Sequence, residues 1–127
     1  MGITVKLIEE ERIVYVDVRD PWTHEELEDS FRQDVTYREE FAKTHPDDKL
    51  HFVVDVTHGT FGVRDAGVGR KNPSFYHPSR GLVVAIGVNE FSQQLVRMVL
   101  NVLRLKRYHF VKTYEEAVEV VRKERGL

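Results

Sequence analysis

"LHFVVDVTHGTFGVRDAGVG", residues 50–69, is the stretch on which the fold turns. Its first seven residues are almost continuously apolar. They are too few for a typical helix and rich in β-branched valine, the pattern of a strand covered on both faces. Asp55 interrupts the run, and a loop follows with glycine at 59, 62, 67 and 69. In open α/β sheets, ligands collect outside the carboxyl ends of the strands, so this loop is where a site is expected. Active site, phosphate cradle, phosphorylation switch and plain turn are the four readings to separate.

Upstream, "ITVKLI" (residues 3–8) alternates apolar and polar residues, and after the charged turn at 9–11 "RIVYVDV" (12–18) is β-branched and aromatic, so the two read as a hairpin. Pro21 and Trp22 break the pattern. Thr23 with Glu26 then forms a capping box that opens a helix to about Ala42, with Leu27, Phe31, Val35 and Phe41 on its buried stripe. Asp34 and Arg38, at i,i+4 near that stripe, read as a paired surface edge. Downstream come an apolar strand "GLVVAIGV" (81–88), a helix from Glu90 to about Leu105 capped by Asn89, and a short strand "YHFV" (108–111). Thr113 and Glu116 repeat the capping box before a last helix carrying Tyr114, Ala117, Val118 and Val121. The order β-β-α-β-(α)-β-α-β-α predicts a mixed, largely parallel sheet packed against helices.

At 127 residues the chain has the size of one domain, 1–127, and its 41% hydrophobic, 31% charged composition is that of a globular protein. No apolar run approaches a membrane span, and the N-terminus lacks the basic-then-apolar order of a signal peptide, so the expected address is the cytoplasm. Cysteine is absent, which removes thiolate nucleophiles and thiolate metal ligands together. The net charge of −2 hides an asymmetry: residues 1–60 hold 15 acids and 7 bases, residues 61–127 hold 6 acids and 12 bases. Halves of −8 and +6 suit packing within a domain or between two copies, and the acidic total argues against nucleic acid as a partner.

The loop motifs discriminate further. Gly62, Gly67 and Gly69 with Arg64, Arg70 and Lys71 suggest a phosphate cradle. There is, however, no G-x-x-x-x-G-K-[ST], and the third glycine of a dinucleotide fingerprint is missing. Asp55, Thr57, His58 and Asp65 are close in sequence, yet neighbours at a strand end point to opposite faces, and no G-x-S-x-G elbow offers a nucleophile. Histidines 24, 45, 51, 58, 77 and 109 include no H-x-x-x-H pair; a metal could be held only by residues brought together in space, such as His58 and His77. No cofactor and no metal are therefore expected. "GRKNPSFYHPSRG" (69–81) interleaves Phe75, Tyr76 and His77 with bases, a candidate lid or rim for an anion or carboxylate, or a cover for a core edge.

"PWTHEEL", "VVDVT", "VVAIGVNEFSQQLVRMVL" and "FVKTYEEAVEVV", in this order over nearly the whole chain, resemble the SpoIIAA-like branch of the STAS superfamily. The resemblance implies a four- or five-stranded mixed sheet with helices mainly on one side, used as a non-catalytic binding module. In the superfamily's anti-sigma-factor antagonists a serine in D-S-S-G-L-G is phosphorylated to release a partner. Here "RDAGVG" puts Ala66 at that serine and Asp65 before it, so the switch has no hydroxyl there; Thr57 or Thr60 would be displaced alternatives.

The expected function is thus a STAS-like module for a protein partner or a small anionic or apolar ligand. Its rim would comprise Asp55, Thr57, His58, Arg64, Asp65, Arg70, Phe75, Tyr76 and His77. The alternative is a small hydrolase-like enzyme using His58 or His77. The helix from residue 90 is apolar over more than half its circumference: Phe91, Leu95, Met98, Val102 and Leu105 form one stripe, and Val96, Val99, Leu100 and Leu103 extend it. With one stripe on the sheet, Val96, Leu100 and Leu103 are expected to form a homodimer interface, unless the terminal helix covers them.

Overall fold

A computed structural model describes residues 2–60 and 76–127. Strands β1 (Ile3–Ile8) and β2 (Ile13–Arg19) form the expected antiparallel hairpin through a 3-10 turn at Glu9–Glu11. Helix α1 (His24–Thr44) leads to β3 (Leu50–His58), and β4 (Arg80–Ile86) is followed by α2 (Glu90–Val102), β5 (Tyr108–Val111) and α3 (Tyr114–Glu124). The five strands lie in sequence order, with every neighbour after the hairpin parallel. This is the mixed, largely parallel α/β sheet that the order of elements predicts. The bracketed helix between β3 and β4 would fall within 61–75, outside the described residues.

Alternation along the strands sorts the core into two layers. Val16, Val18, Phe52 and Val83 face α1 and α2, where they meet Leu27, Phe31, Leu100 and Leu103. Ile13, Val53, Leu82, Val84 and Ile86 face the other way and are covered by Ala117, Val118 and Val121 of α3. Two of the three described helices thus share one face and the third lies on the other, so the terminal helix is on the wrong side of the sheet to cover α2.

The capping sites behave as the sequence indicates at α1, where Thr23 accepts from the Glu26 N–H at 3.1 Å and Glu26 accepts from the Thr23 N–H. At α3, Thr113 accepts from the Glu116 N–H, but its hydroxyl, rather than its N–H, contacts the Glu116 carboxylate. Helix α2 stops earlier than predicted, at Val102, because Arg104 turns into the left-handed region at φ 60°.

The Asp34–Arg38 pair corrects the surface-edge reading: both side chains are buried, at 1% and 0% exposure, 2.9 Å apart. Residues 27, 31, 34, 38 and 41 recur every three or four positions, so the pair lies inside the apolar stripe, not beside it. Arg38 crosses to the amino ends of the parallel strands and donates to the Leu50 carbonyl at 2.8 Å and to Ser79 at 3.3–3.4 Å. One guanidinium therefore ties α1 to the starts of both β3 and β4.

Candidate functional site

Between α1, α2 and the sheet lies a cavity of about 240 Å³. Its floor is built by the side chains of β2, β3 and β4 that alternate toward this face, among them Val16, Phe52, Val54, Val56 and Val83. Leu27 and Phe31 form one wall, and Leu95, Val96, Val99 and Leu103 the other. Its rim at the carboxyl ends of β3 and β4 holds Gly59, Thr60, Gly87, Val88 and Asn89. Three of the polar side chains at its edge, those of Ser30, Thr60 and Asn89, are engaged in hydrogen bonds. Ser30 donates to the Leu27 carbonyl at 2.6 Å, and Asn89 accepts from the Ser92 N–H at 2.8 Å. Thr60 donates to the Asp20 carboxylate at 3.2–3.3 Å. No acid, base or histidine lines the cleft among the described residues.

The loop leaving β3 is pinned. The Trp22 indole N–H donates to the Thr60 carbonyl at 2.9 Å, so the corner after β2 holds the one after β3. Gly87, at φ +82°, brings β4 against Thr57; a Cβ there would lie 2.4 Å from Oγ1. The mouth of the cleft is therefore set by backbone contacts rather than by a polar constellation.

Among the described rim residues, Asp55, Thr57 and His58 lie at one end of the sheet and Tyr76 and His77 at the other. Asp55, between Val54 and Val56, points to the face opposite the cleft, where it accepts from the Tyr15 hydroxyl at 2.9 Å and from the Thr57 N–H and hydroxyl at 3.0 and 2.6 Å. Burial works against its ionisation, but these hydrogen bonds outweigh that and hold the carboxyl below its ordinary range. Burial raises the Tyr15 phenol well above its usual value, and the bond to Asp55 adds to this. Tyr114 of α3 packs edge-on against Tyr15, their centroids 5.4 Å apart, closing a structural knot.

His58 ends β3, whereas His77 precedes β4 at the other end of the sheet, where its Nδ1 accepts from the Ser79 N–H at 3.1 Å. With Leu50 level with Arg80, about eight residues of strand separate the two histidines, roughly 25 Å. This rules out a shared metal site, and no metal-ligating cluster forms among the described residues. Tyr76 also lies at that far end, its hydroxyl donating to the Leu103 carbonyl at 3.3 Å. Arg64, Asp65, Arg70 and Phe75 lie outside the described residues, as does Ala66. The alternative phosphosites both face carboxylates, Thr57 on Asp55 and Thr60 on Asp20, which would repel a phosphate.

The dimer residues also change place. Leu100 and Leu103 are 8% and 3% exposed and belong to the core over the sheet, with Val96 packed beside them. It is Phe91, Leu95, Met98 and Val102 that face outward, so the two stripes of α2 are exchanged relative to the expectation, except that Leu105, beyond the end of the helix, stays in the core. Sequence reasoning also missed the cleft, although its walls are the stripes of α1 and α2. What the sequence does not show is that those helices stand apart over the sheet.

No family model, curated protein or solved structure matches the chain significantly. Among the described residues no helix is long and apolar enough to cross a membrane. The sheet and the cleft define an α/β protein with an apolar recess at a helix–sheet junction.

Proposed function

We propose that the chain is a STAS-like, non-catalytic binding module that takes a small apolar molecule in the cleft between α1 and α2. The observation that carries the reading is the cleft's chemistry: apolar walls, no titratable group among the described lining residues, and an edge where Ser30, Thr60 and Asn89 already make hydrogen bonds. A pocket with convergent unsatisfied polar groups would suit catalysis; this one suits burial of an apolar body. Support for the STAS-like character comes from the resemblance of the four sequence stretches and from a hairpin followed by parallel strands in sequence order. Ala66 in place of a phosphorylatable serine fits a module whose occupancy is set by ligand concentration rather than by phosphate.

An apolar cavity of ~150 Å³ accommodates benzene, so about 240 Å³ leaves room for roughly ten non-hydrogen atoms. Naphthalene and indole are probes of that size. Saturable one-to-one binding is expected by calorimetry, with amide shifts confined to α1, α2 and the carboxyl ends of β3 and β4. Val99→Phe, which fills the cleft from its α2 wall, abolishes it. Equal binding by Val99→Phe, or no saturable binding of either probe, would refute the assignment.

A further inference from the structure

Of the outward stripe of α2, Phe91, Met98 and Val102 lie outside the cleft, and Leu95 sits at its edge, shared with the cleft wall. Phe91 is 94% exposed, Met98 62%, Val102 51% and Leu95 39%. Their spacing is four, three and four, the a/d repeat that keeps one seam facing a second helix. From those fractions roughly 450 Å² of apolar side chain is left open on one copy, within the 300–600 Å² of the largest patches on monomers, which are often functional. We propose that this stripe is a self-complementary docking surface on which a second copy of the chain lies antiparallel across a twofold axis.

Two features select a second copy as occupant. A twofold midway between residues 96 and 97 sets Phe91 against the other copy's Val102 and Leu95 against its Met98, so the largest side chain meets the smallest and lengths match along the seam. The residues flanking the seam on its outer side are Gln94 and Asn101, neutral amides that set no like charges against each other in a self-pair. Two such patches remove about 900 Å² of apolar surface before the polar rim is added. That reaches the lower range of a specific interface, so the dimer forms at micromolar concentration rather than obligatorily.

Three of the four stripe residues, Phe91, Met98 and Val102, lie outside the cleft, and the proposal stands without any ligand. Sedimentation equilibrium over a concentration series is expected to give a mass rising from 14.9 kDa to twice that. Met98→Glu, at an exposed position outside the cleft, leaves the melting temperature of the monomer in place and weakens association at least tenfold. The chain has no cysteine, so introduced thiols report the arrangement without background. Antiparallel pairing cross-links Phe91→Cys/Val102→Cys into covalent dimers but neither single variant, whose equivalent thiols sit about eleven residues of helix apart, roughly 16 Å. A monomeric wild type at high micromolar concentration overturns the proposal. So do cross-linking of the single variants and association indifferent to Met98→Glu. A chain that stays monomeric yet co-sediments with phosphatidylcholine–phosphatidylglycerol vesicles, and loses this in Met98→Glu, shows that a lipid surface takes the stripe, which also overturns it.

Discussion

Lowering the pH from 7 to 5 should destabilise the fold through one side chain, His51. It is 4% exposed on β3, and its Nδ1 accepts from the Leu82 N–H of β4 at 2.9 Å. Gly81 is required beside it, since a Cβ there would come within 2.3 Å of Nδ1. An imidazole that accepts at Nδ1 must be neutral, with its proton on Nε2. Burial is the larger cause and the positive charges of Arg125, Arg38 and Arg107 the lesser, and together they press its pKa from 6.5 to about 4. Between those values the unfolded chain binds a proton that the native chain refuses, so stability falls as pH drops through this window and levels off below about 4. Taken in full the shift corresponds to ~2 kcal/mol between pH 7 and 5; allowing for solvent screening at the polar recess beside it, about 1.5 kcal/mol is expected. Glu11, Glu26 and Asp55 have lowered values and lose stability only as pH approaches and passes below their ordinary 4.5 and 3.8, so they barely enter the interval. Urea denaturation at pH 7, 6 and 5 measures the slope, and His51→Asn, whose amide oxygen can accept from Leu82 but does not titrate, should flatten it. A wild type equally stable at pH 7 and 5, or a slope preserved in His51→Asn, would refute the assignment.

Arg38→Met breaks the buried ion pair with Asp34 and the ties to Leu50 and Ser79 and should cost about 3–5 kcal/mol, whereas Asp34→Leu with Arg38→Met should cost markedly less; chemical denaturation of the two variants decides, and equal costs would contradict the account. Tyr15→Phe removes one of three hydrogen bonds to Asp55 and should cost about 1 kcal/mol. In the wild type the raised phenol pKa means that stability declines once pH exceeds 10, where the unfolded tyrosine ionises, and ultraviolet titration should show one tyrosinate fewer in Tyr15→Phe only at strongly alkaline pH. Val96→Ile, which adds a methylene at the cleft wall, should raise stability by about 0.5–1 kcal/mol and weaken naphthalene binding; a loss of stability would mean that the wall is already packed.

Where local rules act alone, the sequence was easy to read. The hairpin, the Thr23–Glu26 capping box and the strands at 50–58 and 80–86 follow from periodicity and capping chemistry, which need no knowledge of what lies across the sheet. Asp34 and Arg38 were misread because charge argues for solvent at any position, and only the partner carbonyl of Leu50 and the Ser79 acceptors, 12 and 41 residues away from Arg38, make the interior tolerable for a guanidinium. Tyr76 and His77 part from Asp55, Thr57 and His58 for a related reason. Closeness in sequence put His77 near the loop after β3, but a parallel connection returns the chain to the opposite end of the sheet before the next strand begins.

Helix α2 shows the limit most sharply, because both of its stripes are apolar and nothing within the helix ranks them. The choice is made by its connections: the turn after Val102 delivers Leu103 and Leu105 into the layer over Phe52 and Val83, and Leu100, on the same side, follows them inward. Rotation about the helix axis is then fixed, and Phe91, Met98 and Val102 are carried outward with Leu95 at the edge. The same rotation lifts Val96 and Val99 to the cleft wall instead of onto the strands. The recess for a ligand and the exposed seam therefore have a common origin in how α2 is hung from its carboxyl end. A substitution that rotates this helix, such as Leu103→Ala, should perturb naphthalene binding and self-association together, while Met98→Glu should abolish only the second. Calorimetry and sedimentation on the two variants separate these outcomes, and loss of association alone in Leu103→Ala would refute the common origin.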